Sequence, residues 1–328
     1  MPSKTKQPQE ISGNDKSSRA RLLVGVCVAA IAVASVSMYA TSQEENGPGQ
    51  VAYQKGMSAM AAGNTASAQA YFADGVRTDP DFGPNYVQLG VIYSSQRDFT
   101  QAADAYEHAA KLLPSDGKIW FVLSSVDVNL HDWTAAEAAG TKASKLLPKD
   151  ADVWGQLASI ENKLRHSDLA FDAYRQAHDL QPSNPEYLIT LARFGVVTPQ
   201  STDELTYLER ELATYLNSNP TDADAAKVMI AIEERLPPTP ERLKSAISWG
   251  IVARDRYPKD ADVSAALGQV YLSANRPIDA LDAYRMANAL RPNSTPLMHA
   301  LEVCYVKTGQ PEKASALARR IQAAQTHH

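Results

Sequence analysis

Only two cysteines occur in the 328 residues, Cys27 and Cys304. Cys27 lies in an apolar stretch near the N-terminus, so no internal disulfide with Cys304 and no disulfide framework is expected. Cys304 reads as a lone buried thiol. Aromatic residues are also few, 7% of a chain that is 44% hydrophobic. A core with so few rings and much alanine favours closely packed helices over a sandwich or barrel, because alanine is the best helix former. Basic residues are not in excess: 32 Lys and Arg stand against 37 Asp and Glu, for a net charge of −5. Nucleic-acid binders usually carry a basic face, and this chain has no such balance. Walker, GxGxxG, GxSxG and HExxH stretches are all missing. No catalytic residue, metal site, cofactor or small-molecule substrate is expected, and the His327-His328 pair reads as a frayed tail.

What is present begins at the N-terminus. Residues 1–21 form a basic tail with Lys4, Lys6, Lys16, Arg19 and Arg21. Residues 22–40, LLVGVCVAAIAVASVSMYA, carry no charge, and as a helix would span about 28 Å, close to the hydrocarbon thickness of a bilayer. A cleaved signal peptide has a shorter apolar run with a small-residue cleavage site. Here the run is long and the small-residue sites are mediocre, so the expectation is an uncleaved transmembrane signal-anchor, with cleavage as the alternative. Lys and Arg resist translocation, which places the tail in the cytoplasm and the rest of the chain outside it, in a periplasmic or cell-surface setting. Residues 41–50 read as a linker.

The remainder is repetitive. KLLPSDGKIW at Lys111 returns as KLLPKDADVW at Lys145, and Pro80, Pro114, Pro148 and Pro182 recur every 34 residues. Pro220 and Pro258 follow at 38 and Pro292 at 34. A fixed period in this range marks a solenoid of helix hairpins. The second repeat has Tyr86, Leu89, Gly90, Tyr93, Ala102, Tyr106, Ala109 and Pro114; the seventh has Leu267, Gly268, Tyr271, Ala280, Tyr284, Ala287 and Pro292. On these residues the chain resembles the tetratricopeptide repeat family. The resemblance implies an all-α, right-handed superhelical solenoid of about eight hairpins over residues 51–328, preceded by the one transmembrane helix. The repeats fall near 51–82, 83–116, 117–150, 151–184, 185–222, 223–260, 261–294 and 295–325. Small residues such as Gly90 and Ala102 are expected where the two helices of a hairpin cross, and the proline closes the second helix. In repeats five and six Leu208 and Ala246 occupy the small second-helix position four residues late. The extra residues are therefore expected between the helices, around VVTPQST and LPPTP.

In this family the first helices line the concave face, and ligands are held from their second, fifth, ninth, twelfth and thirteenth positions. Carried over by position, the candidate peptide-binding residues are Tyr53, Met57, Met60, Val87, Val91, Phe121, Ser125, Asn129, Asn162 and Lys163. The alternative is that Tyr53 and the methionines pack against their neighbours. The resemblance implies a non-catalytic scaffold that binds peptide segments of partner proteins, in cell-envelope assembly, secretion or cofactor maturation. Two further readings remain: an organelle-surface import receptor with cytosolic repeats, and a regulatory subunit of an enzyme complex. Protease protection of the repeats separates the first of these from the scaffold.

Overall fold

Asp116 and Asp150 stand two residues after the recurring proline, and each caps the helix that follows. Asp116 Oδ1 accepts from the Lys118 amide at 3.0 Å, and Asp150 Oδ1 from the Asp152 amide at 3.1 Å. Each satisfies an amide that the first helical turn leaves without a partner. The tryptophan then reaches back: Trp120 Nε1 donates to the Pro114 carbonyl and Trp154 Nε1 to the Pro148 carbonyl, both at 3.0 Å. Each such bond contributes about 1 kcal/mol. This is why the stretch returns with proline, aspartate and tryptophan in step.

The computed structural model describes residues 47–198 and 200–325. These residues hold sixteen α-helices and no strand. They divide into two compact units, one ending at His166 and the other beginning at Ser167.

The first unit holds α1 (Pro48–Ala61), α2 (Thr65–Thr78), α3 (Gly83–Ser95), α4 (Phe99–Leu112), α5 (Gly117–Leu130), α6 (Trp133–Leu146) and α7 (Ala151–Lys163). Helices α1 to α6 pair as three hairpins, each packed on the next through one core that includes Phe72, Ile92, Tyr106 and Ile119. Ala68, Ala102 and Ala136 stand fourth in the second helices and are fully buried, as the family register requires. Gly90 is small for a more specific reason than helix crossing: a Cβ there would lie 2.7 Å from the Tyr106 ring. The turns inside the three hairpins pass through left-handed residues, Gly63, Arg97 and His131, and Arg165 after α7 is left-handed too. Only the glycine adopts that conformation without a cost of about 1–2 kcal/mol.

The second unit holds α8 (Ser167–Leu180), α9 (Pro185–Val197), α10 (Thr202–Ser218), α11 (Ala223–Glu233), α12 (Pro240–Arg256), α13 (Ala261–Ser273), α14 (Pro277–Leu290), α15 (Thr295–Lys307) and α16 (Pro311–Gln325). Helices α9 to α16 pair as four hairpins. One core gathers Leu191, Leu208, Leu212, Leu216, Met229 and Ile232, and a second gathers Leu267, Tyr271, Tyr284, Leu301 and Cys304. Cys304 is buried and free, as expected.

Two sequence expectations are corrected here. Helix α1 begins at Pro48, so residues 48–50 are helix rather than linker; Gly49 and Gln50 are already buried. The proline supplies the start, since its missing amide costs nothing at the first helical position. The extra residues of repeats five and six lie between the helices only in part, at 198–201 and 234–239, and the rest lengthen the second helices. Helices α10 and α12 run to 17 residues where α4 and α6 have 14. Capping residues set the earlier starts: Ser201 Oγ accepts from the Glu204 amide at 3.1 Å, and Thr239 Oγ1 from the Arg242 amide at 3.2 Å. The chain between α11 and α12 is tied down as well. Arg235 Nη1 donates to the Gly195 and Thr198 carbonyls at 2.8 and 2.9 Å, occupying acceptors that the end of α9 leaves open. No helix among the described residues is long and apolar enough to cross a membrane. The stretch expected as an anchor, 22–40, lies outside the described residues.

Candidate functional site

The candidate face in the first unit divides into packed and accessible residues. Tyr53 is 7% exposed, with its ring 6.0 Å from Phe72 and 6.1 Å from Phe82, so it belongs to the core. Val87 and Val91 are buried in that core, and Met57 and Met60 are half-buried against it. As they stand, Tyr53, Val87 and Val91 offer almost no surface to a ligand. Tyr53 packs against its neighbours, and the facing helices close over Val87 and Val91 as well.

Phe121, Ser125 and Asn129 stand four apart on α5, which puts them in one line. Phe121 is half-buried, Ser125 is buried and Asn129 is exposed. Ser125 Oγ donates to Gln156 Oε1 on α7 at 2.7 Å and lies 3.0 Å from the Phe121 carbonyl oxygen. Gln156 Nε2 donates back to the Phe121 carbonyl at 3.3 Å, and Asn129 Nδ2 to the Ser125 carbonyl at 2.7 Å. The result is a fixed polar strip beside an aromatic edge, shared by two first helices. Gln156 is essential to it, yet it stands one place after the fifth position and so falls outside the family's ligand register. Asn162 and Lys163 on α7 are exposed, with Lys163 Nζ 5.9 Å from the centre of the Trp133 ring.

One trio among the described residues brings together groups of the kind that ligate metals: Glu137, Glu161 and His166. His166 Nδ1 lies 2.8 Å from Glu161 Oε2 and 3.5 Å from Glu137 Oε1. As arranged, His166 and Glu137 close around a buried Glu161. Its members come from α6, α7 and the turn after α7, a spacing no ligand motif would have revealed.

The second unit has a cleft of about 70 Å³ where α11, the chain after it, α12 and α13 meet. Glu233 lines it, is 8% exposed, and leaves Oε2 buried without a hydrogen-bond partner. Burial, and then the nearby Glu209 charge, push its carboxyl up to about 7, against a smaller lowering by Arg242. Arg242 is already engaged: its Nε and Nη2 grip the Glu209 carboxylate at 2.8–3.1 Å, and Nη1 donates to the Pro237 carbonyl at 3.2 Å. Glu234, just past the end of α11, and Gln269, ninth in α13, are both exposed and also line the cleft. The candidate face positions of repeats one to four all lie in the first unit, so none of them falls on this cleft.

Residues 29–248, about two thirds of the chain, match the tetratricopeptide family described as the cilia and flagella-associated protein 70 C-terminal domain. Among solved structures the chain is similar to MamA from Desulfovibrio magneticus RS-1. Identity there is 15% and the TM-score 0.45, over 54% of this chain and 98% of that one. It is similar also to PilF of Pseudomonas aeruginosa, at 15% identity and a TM-score of 0.45, over 66% of this chain and 95% of that one. A tetratricopeptide repeat protein from Parabacteroides merdae ATCC 43184 gives 13% identity and a TM-score of 0.45, over 79% and 99%. No curated protein matches the sequence. On the strength of the match over residues 29–248, the chain belongs to the tetratricopeptide family of the cilia and flagella-associated protein 70 C-terminal domain.

Proposed function

We propose that the protein is a non-catalytic scaffold, anchored in a membrane by residues 22–40, whose hairpins hold peptide segments of partner proteins outside the cytoplasm. The observation that carries the binding reading is the strip of Phe121, Ser125, Asn129 and Gln156. It sets an apolar edge beside hydrogen-bonding groups already fixed by one another, and little ordering is left for binding to impose. Such an edge suits an extended or helical peptide segment. The anchor rests on the uncharged stretch and its basic flank. Fixing the hairpins to a membrane would raise the effective concentration of any captured partner there.

A cross-linking pull-down from intact membranes tests this, comparing the wild type with Phe121→Glu. Because Tyr53 is a core residue, a charge there would unfold the chain; half-buried Phe121 is the better probe. A discrete group of envelope proteins should be recovered with the wild type and reduced at least tenfold with the variant. An unchanged group would overturn the binding face, and recovery from a soluble fraction alone would overturn the anchor.

A further inference from the structure

In repeats two, seven and eight the eleventh position of the first helix is a tyrosine, Tyr93, Tyr271 or Tyr305; in α11 it is Glu233. A carboxylate placed in a core position and left without a partner is costly, and Glu233 Oε2 accepts no hydrogen bond. The nearest cation does not supply one, since Arg242 is spent on Glu209 and the Pro237 carbonyl. Glu234 adds a second carboxylate at the rim of the same cleft. The cleft therefore holds an unmet demand for positive charge.

We propose that the Glu233 cleft receives the ammonium group of a lysine side chain on a segment of a partner protein, an inference that rests on the peptide-binding function above. The lining selects the cation. About 70 Å³ leaves room for several waters, and so for an ammonium head and its last methylenes. Leu236, Leu243 and Val270 line the cleft and match an apolar stem that carries its charge at the tip. An arginine fork uses both oxygens of a carboxylate side by side, and on Glu233 Oε2 alone is buried without a partner. An ammonium group has three donors and needs no such pair.

Selection from a random peptide library by the detergent-solubilised full-length protein, run in parallel with Glu233→Gln, tests the inference. The substitution keeps the shape, and circular dichroism confirms that the variant is folded. Peptides chosen by the wild type should share a lysine at one position. Those peptides should lose at least tenfold in affinity toward Glu233→Gln, and as much when the lysine is replaced by norleucine. Peptides with no common lysine, or a common lysine that Glu233→Gln leaves unaffected, overturn the lysine site while peptide binding stands. Recovery of no peptide by either protein overturns the binding function and this inference with it.

Discussion

Replacing Gly90 by valine is expected to destabilise the first unit by about 3 kcal/mol, the upper part of the range for overpacking a core. The Cβ would stand 2.7 Å from the Tyr106 ring, and that ring is fully buried with no room to withdraw. The gain from removing a glycine inside a helix is below about 1 kcal/mol and does not offset the clash. Hairpin three shows how the same crossing is solved with a different pair. There the positions of Gly90 and Tyr106 are held by Ser124 and Gly140, and Ser124 Oγ donates to the Ala136 carbonyl at 2.8 Å. A Gly90→Ser and Tyr106→Gly double variant should therefore be less destabilised than the sum of its single variants. Urea unfolding midpoints measure both effects. A Gly90→Val protein as stable as the wild type would show that the helix register is wrong.

The second large effect is on pH. Burial, then Asp132 and Glu107, push the Asp127 carboxyl up to about 6, and burial pushes Glu233 to about 7. Both folded-state values lie above the ordinary 3.8 and 4.5. Between those limits the folded protein binds more protons than the unfolded chain. The stability these groups contribute is complete below pH 4 and is lost as pH rises through 6 and 7. Each shift corresponds to about 3 kcal/mol. Asp127→Asn and Glu233→Gln should thus stabilise the protein at pH 8, with little effect at pH 4. His178 works in the opposite direction, since burial lowers its imidazole and the resulting stability is lost toward acid. The difference between wild type and each variant across pH isolates the carboxyls. A variant difference that does not change from pH 4 to pH 8 would contradict this assignment.

The sequence was most informative where one residue type does one local job. The prolines, the capping aspartates and the small residues at Ala102 and Ala136 mark helix ends and crossings, and the structure places each where its chemistry requires. Periodicity told less about which side of a helix faces a partner. Tyr53, Val87 and Val91 sit on the family's ligand positions, but in this chain they are closed in by Phe72, Phe82 and neighbouring helices. Gln156 was missed for the converse reason: its role comes from a contact with Ser125 across 31 residues, which no local pattern encodes. The four-residue insertions were visible as a change of period. Whether they became loop or helix depended on Ser201 and Thr239 acting as caps. Glu233 was obscured because a charged residue in a helix normally reads as solvated surface.

The central claim is that partners are held along α5 and α7. A photo-reactive amino acid placed in turn at Phe121, Asn129 and Lys145, in the full-length protein within intact membranes, tests it most directly. Phe121 and Asn129 lie on the proposed strip, and Lys145 is an exposed residue of a second helix. The account predicts discrete adducts from Phe121 and Asn129 and none from Lys145. Adducts from Lys145 alone, or no adduct at any position, would contradict it.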